Sequence, residues 1–154
     1  MNNEMIEVID TNDLAPVSLI EDFKNPTTNF YSSMKLDGTR ESKKAIFNAL
    51  NNPEKKLSDC INMEIEMVDL IVEQIEIVDE YTGEKMNVLR TIIIDKNGVS
   101  YTAVSGGISR SLTQIIAIVG SPVGGAWHKE PVKVVVKQKQ TRNGNNKVNT
   151  LEMV

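Results

Sequence analysis

Residues 63–79, Met63-Glu64-Ile65-Glu66-Met67-Val68-Asp69-Leu70-Ile71-Val72-Glu73-Gln74-Ile75-Glu76-Ile77-Val78-Asp79, carry two periodicities at once. Acids at Glu66, Asp69, Glu73, Glu76 and, just beyond, Glu80 recur at steps of three and four, as on one face of a helix. Against the helix stand the β-branched residues Ile65, Val68, Ile71, Val72, Ile75, Ile77 and Val78, followed by the turn-like Glu80-Tyr81-Thr82-Gly83. A branched Cβ loses rotamers in a helix and packs well on a pleated surface, so the segment reads as one long strand. Its apolar phase runs Ile65 and Met67, then Val68, Leu70 and Val72, then Ile75 and Ile77. A buried face that changes side twice implies bulges, which bend a strand enough to serve both halves of a small barrel.

Downstream, Lys85 to Asp95 reads as a second strand centred on Ile92, Ile93 and Ile94, and Lys96-Asn97-Gly98 as a tight turn into a third, Val99 to Val104. Ser105-Gly106-Gly107 opens a helix in which Ile108, Leu112, Ile115, Ile116 and Val119 fall at helical spacing, and Gly120-Ser121-Pro122 ends it. A Gly-rich loop with Trp127 leads through Pro131 to a fourth strand, Val132 to Gln140. Arg142-Asn143-Gly144-Asn145-Asn146 turns the chain into a fifth, Lys147 to Val154. Upstream, Asp37-Gly38-Thr39 forms a turn and N-cap for a short amphipathic helix, Arg40 to Leu50, stopped by Asn51-Asn52-Pro53. The order β-β-β-α-β-β describes a mainly β chain, an OB-fold five-stranded Greek-key barrel with a short N-terminal helical extension. A ferredoxin-like chain needs a helix directly after its first strand, and an SH3-like barrel lacks the long helix. Residues 1–25 are expected to form a flexible acidic arm, 26–60 a helical extension packed on the barrel, and 61–154 the OB-fold nucleic-acid-binding domain.

With 154 residues, 40% of them apolar and 25% charged, the chain suits one domain of ordinary globular composition. No apolar run reaches the ~18 residues of a membrane span, and Met1-Asn2-Asn3-Glu4 begins no signal peptide, so no membrane association and a cytoplasmic location are expected. Cys60 is the only cysteine and His128 the only histidine, which excludes an intrachain disulfide and a zinc site of four Cys or His ligands. No cofactor, metal or catalytic residue is expected. The net charge of -4 hides a strong asymmetry: residues 1–23 hold six acids and no base, whereas the chain from Lys96 onward sums to +6. A basic patch on an acidic protein still follows a phosphate backbone, because the local field outweighs the total; lysines that merely solvate strand faces are the alternative.

Five stretches carry a family likeness: Asp37-Gly38-Thr39-Arg40-Glu41-Ser42, Ala49-Leu50-Asn51-Asn52-Pro53, Lys56-Leu57-Ser58-Asp59, Ile94-Asp95-Lys96-Asn97-Gly98-Val99-Ser100-Tyr101, and Pro131-Val132-Lys133-Val134-Val135-Val136-Lys137-Gln138. In order and spacing they resemble single-stranded DNA-binding proteins encoded by bacteriophages of Gram-positive bacteria. The resemblance runs over residues 29–154, and it implies a non-enzymatic OB-fold protein coating exposed strands in phage replication or recombination, within the host cytoplasm. An OB-fold adaptor binding a protein partner is the alternative. Phage or host replication proteins are candidate partners for the acidic arm, and a homo-oligomer is left open.

Binding a single strand takes a cationic track and flat side chains on which bases stack. OB barrels usually offer the face of strands two and three and the loops one–two and four–five. Those positions hold Tyr81, Arg90, Tyr101, Arg142 and Lys147, with Lys133, Lys137 and Lys139 on one face of strand four extending the track. Trp127, in the loop before that strand, is a further candidate for stacking, with a lid over one barrel end as its alternative; Tyr101 has a core position as its alternative. His128 reads as a surface histidine without a partner for a triad or metal site. Ser105-Gly106-Gly107 lacks the Gly-Lys-Ser/Thr of a P-loop and reads as a plain helix start. The acids between Glu64 and Glu84 alternate along one strand instead of converging, which speaks against a two-metal nuclease.

Overall fold

A computed structural model of the chain describes residues 30–141, 144 and 146–154. The deciding segment is a strand of 15 residues, Glu64–Val78, preceded by β1 (Phe30–Ser32), α1 (Arg40–Asn51), β2 (Lys55–Lys56) and a single 3-10 turn (Leu57–Asp59). The long strand is β3. After it come β4 (Lys85–Asp95), β5 (Ser100–Ala103), α2 (Gly106–Val119), the one-turn α3 (Ala126–Lys129), β6 (Val132–Gln140) and β7 (Lys147–Met153). The strands form one sheet in the order β2-β5-β4-β3-β6-β7, with β1 on the edge of β3. From β3 onward this is the β-β-β-α-β-β order of an OB-like barrel.

β3 serves both β4 and β6, besides β1 at its edge, because it is long and broken once in phase. Its first residues, Glu64–Met67, pair with β6, and Met67–Val78 pair with β4. The register slips between Met67 and Asp69, where Met67 faces Asp95 and Asp69 faces Ile94, so Val68 is the extra residue of a bulge. Before it Ile65 and Met67 point into the barrel; after it Leu70 does, and Ile71 points out. The expected second change of side does not occur. Beyond Glu73 the strand leaves the core and Ile77 and Val78 are exposed, so their phase follows no buried face.

Two apolar layers therefore share this sheet. Inside the curl, Ile65, Met67, Leu70, Ile93, Tyr101, Ile108, Leu112, Trp127, Val134 and Val136 pack around α2. Outside, α1 lays Ile46 and Ala49 over Val68, Ile71, Ile92 and Ile94. The runs Val68-Asp69-Leu70-Ile71 and Ile92-Ile93-Ile94 are buried at every residue, since both faces of the sheet are covered there. α1 begins as expected: Thr39 Oγ1 accepts from the Ser42 N–H at 3.2 Å, and Asp37 Oδ1 accepts from the Thr39 N–H and hydroxyl. Those donors hold the Asp37 carboxyl at about 2.

Among the described residues β5 and β7 do not pair with each other, so the sheet is curled but open at that seam. α2 fills it. Ser105 caps the helix, Ser111 Oγ accepts from the Leu151 N–H at 3.1 Å, and Gly107 lies so near β7 that a Cβ there would sit 2.2 Å from the Asn149 carbonyl oxygen. The 26–60 segment, read as a helix alone, also contributes β1 against Ile71–Glu73 and β2 parallel to Tyr101–Thr102.

Tyr101 is 5% exposed and its hydroxyl donates to Asp95 Oδ2 at 2.8 Å, while Asp95 Oδ1 accepts from Asn97 and Val99 to hold the hairpin turn. Burial and that carboxylate push the phenol up to about 12. An absorbance titration of tyrosinate should show one late step near 12, above the ordinary tyrosine value near 10, and Tyr101→Phe should remove it. The sign for stability follows: the neutral phenol favours the fold below pH ~10, and that contribution is lost as pH rises from about 10 to 12.

Candidate nucleic-acid interface

β6 sorts its side chains cleanly. Val132, Val134 and Val136 are buried, and Lys133, Lys137 and Lys139 stand on the opposite, outer face, as the alternation predicts. Lys137 is opposite Thr150 and Lys139 opposite Val148, whereas Lys147 is opposite Gln140, which shares the parity of the buried valines, so Lys147 belongs to the same two-stranded ribbon but to its other face. Each tie they make is loose: Lys133 to Glu64 at 3.9 Å, Lys139 to Glu152 at 4.0 Å, and Lys137 to Asn62 Oδ1 at 3.4 Å. Exposed pairs of this kind are worth ~0–1 kcal/mol, so a phosphate can replace the carboxylates at little cost. Arg142 lies outside the described residues, as does the acidic arm.

Three expected contact residues are engaged elsewhere. Trp127 is 3% exposed, packs in the inner layer and donates from Nε1 to the Gly120 carbonyl at 3.1 Å; it closes the barrel end, with no ring face left for a base. Tyr101 is likewise turned inward, because its pairing with Ile93 puts it on the inner face. Arg90 does point outward, yet its guanidinium binds Glu73 Oε1 at 3.1 Å and the Leu50 carbonyl at the end of α1. It fastens the helix to the sheet.

Tyr81 is 96% exposed at the tip of the β3–β4 hairpin, where Asp79 Oδ1 accepts from the Tyr81 and Thr82 N–H groups and its carboxyl is held low by them. The ring is free for stacking, but Asp79, Glu80 and Glu84 beside it give no counter-charge for phosphate. His128 is at the surface, as expected, and does have a partner: Nε2 lies 2.7 Å from Oδ2 of the buried Asp69, whose Oδ1 accepts from Ser33 Oγ. With the carboxylate in the middle and no nucleophile on the imidazole, this is a tie between α3, β3 and the end of β1. Glu66 pairs with Lys96, which keeps the carboxyl below its usual value and the ammonium above. The Ser105-Gly106-Gly107 turn lies against β7, as a helix start and not an open anion site.

A groove of about 510 Å³, which no sequence pattern announced, runs over the outer side of β5 to the open seam, lined by Lys56, Arg90, Thr102, Val104, Ser105 and Asn149. The dipeptide Lys55-Lys56 is its one signal in the sequence, but only the two-residue strand β2 brings it beside β5.

The described residues form a curled OB-like sheet whose outer face carries the lysines of β6, the charge a polyanion-binding module needs. The sequence model of the phi29-type phage single-stranded DNA-binding protein family matches residues 24–153; the chain belongs to that family, a non-enzymatic class. The single-stranded DNA-binding protein of Bacillus phage GA-1 is 27% identical over 157 residues, covering 92% of this chain and 91% of that relative. No solved structure matches the chain. No helix among the described residues is long and apolar enough to cross a membrane.

Proposed function

We propose that this protein binds single-stranded DNA without regard to sequence and coats exposed strands during phage DNA replication or recombination, in the host cytoplasm. The observation that carries the reading is the family match over residues 24–153. The outer ribbon supports it by presenting Lys133, Lys137 and Lys139 on one side, with Lys147 on the other face of the same ribbon, Arg142 between them in the sequence and Tyr81 as a stacking ring. The acidic arm, six acids within residues 1–23, is proposed to recruit a replication protein or to compete with DNA for the basic face. Fluorescence anisotropy with oligo-dT, the matching duplex and RNA tests the reading. Micromolar or tighter binding to oligo-dT with clear preference over duplex is expected, because stacking needs unpaired bases; equal affinity for both DNA forms rejects a coat.

A second reading, an adaptor for a protein partner, is favoured by the distal β3–β4 ribbon. There Ile77, Val78, Met86 and Leu89 are exposed, and Leu89 shares a groove with Tyr31. Salt separates the two readings, since each released counterion adds ~0.7 to the slope of log affinity against log salt for single strands and apolar docking adds none.

A further inference from the structure

α1 buries one face and leaves the other bare. Ile46 and Ala49 are held on the sheet, whereas Arg40, Lys43, Lys44 and Phe47 fall at helical steps on the exposed side, Phe47 with 61% of its surface open. Among the described residues none of these three cations forms an ion pair, and Glu41 in the same turn forms none with them. The placement runs against helix stability. Cations are favoured in a last turn, where α1 has none, and disfavoured in a first turn, where this helix places Arg40 and Lys43 on either side of Glu41. An exposed phenyl ring is equally unhelpful to folding, so the stripe has no structural account.

The other open rings lack this setting. Tyr81 is flanked by acids, and Tyr31 lines a groove with Glu76, while Trp127 and Tyr101 are buried. Phe47 alone among the exposed aromatic rings of the described residues stands on a cationic surface. Moreover, α1 covers Ile92 and Ile94 of β4, part of the face an OB barrel usually leaves open to its ligand. A ligand approaching that side meets the helix, not the sheet.

We propose that the outer face of α1 is a second single-strand contact, with a base stacked on Phe47 and neighbouring phosphates held by Arg40, Lys43 and Lys44. The proposal rests on the single-strand-binding reading and adds a site remote from the β6–β7 lysines. Flat ring and point charges on one helix match the two things a single strand offers, a π-face and a phosphate, in alternation along its length.

Three full-length variants test it by anisotropy with labelled oligo-dT over a range of NaCl concentrations. Phe47→Ala should weaken binding at least about fivefold with little change in salt slope, as loss of one stacked base predicts. The triple variant Arg40→Ala/Lys43→Ala/Lys44→Ala should flatten the slope by about 2, from ~0.7 per phosphate contact. Phe47→Trp should keep its affinity and gain an emission component that oligo-dT quenches, since Trp127 is buried. All four positions are exposed, so melting temperatures should stay near that of the parent. Parent-like affinity and slope in the first two variants, with no quenching of the introduced indole in the third, overturns the α1 site and leaves the single-strand reading standing; a stripe that serves an acidic protein would give that result. Failure of the unaltered protein to bind oligo-dT overturns both.

Discussion

Reversing charge at Lys133, Lys137 and Lys139 together is expected to weaken oligo-dT binding by more than about 100-fold at low salt while the urea midpoint hardly moves. Each reversal removes one counterion-releasing contact and adds a repulsion of the same order, and the loss should shrink as salt rises. Folding should be spared because these ammonium groups lie on the outer face of β6, with carboxylate neighbours no nearer than 3.9 Å. The control is Lys129→Glu, at an exposed lysine of α3 that lies off the proposed track. If the triple variant binds like the parent, the strand follows another path. If both variants lose binding equally, the effect is one of total charge.

The second large effect is on stability. Trp127→Ala should cost about 3–5 kcal/mol, the usual range for removing a buried indole, because the cavity left at the barrel end cannot collapse onto α2 without moving it. The hydrogen bond from Nε1 to the Gly120 carbonyl is lost as well. Chemical denaturation gives the stability, and anisotropy below the unfolding transition gives the affinity of the molecules still folded. That affinity should stay within about twofold of the parent's. A stable variant with weakened binding would return Trp127 to the DNA surface.

Much of the barrel could be read from local chemistry. The Ser105 cap and the Gly120-Ser121-Pro122 stop delimit α2, and Lys96-Asn97-Gly98 marks its hairpin through the Asp95 carboxylate and Gly98 at φ +84°. The alternation in Val132–Lys137 placed Lys133 and Lys137 outside and three valines inside. What resisted reading lay where pattern carries no information. β1 and β2 are three and two residues long, too short for any period, and exist because the edges of β3 and β5 needed partners. In Ile92-Ile93-Ile94 every residue is apolar, so the sequence could not say which face Tyr101 would take opposite Ile93. Arg90 looked like a free cation since its acceptor, a backbone carbonyl of α1, is set by the helix packing and by no motif. The role of α1 was hidden for the same reason: its amphipathic spacing announced a buried face without saying that the face would lie on the outside of the sheet.

The Val68 bulge bears on how this chain can change over time. Side chains along β3 can be exchanged for others of like size and polarity, one at a time, with graded losses. Its length cannot. Removing Val68, or adding a residue beside it, would turn everything downstream by half a pleat, sending Leu70 outward under α1 and Ile71 inward, and breaking the match of Glu73 to Arg90. The hairpin tip beyond Val78 has no such phase to keep. Drift in chain length is thus permitted at Tyr81 and barred at Val68, and the strand that looks most repetitive in composition is the one whose count of residues is held most tightly.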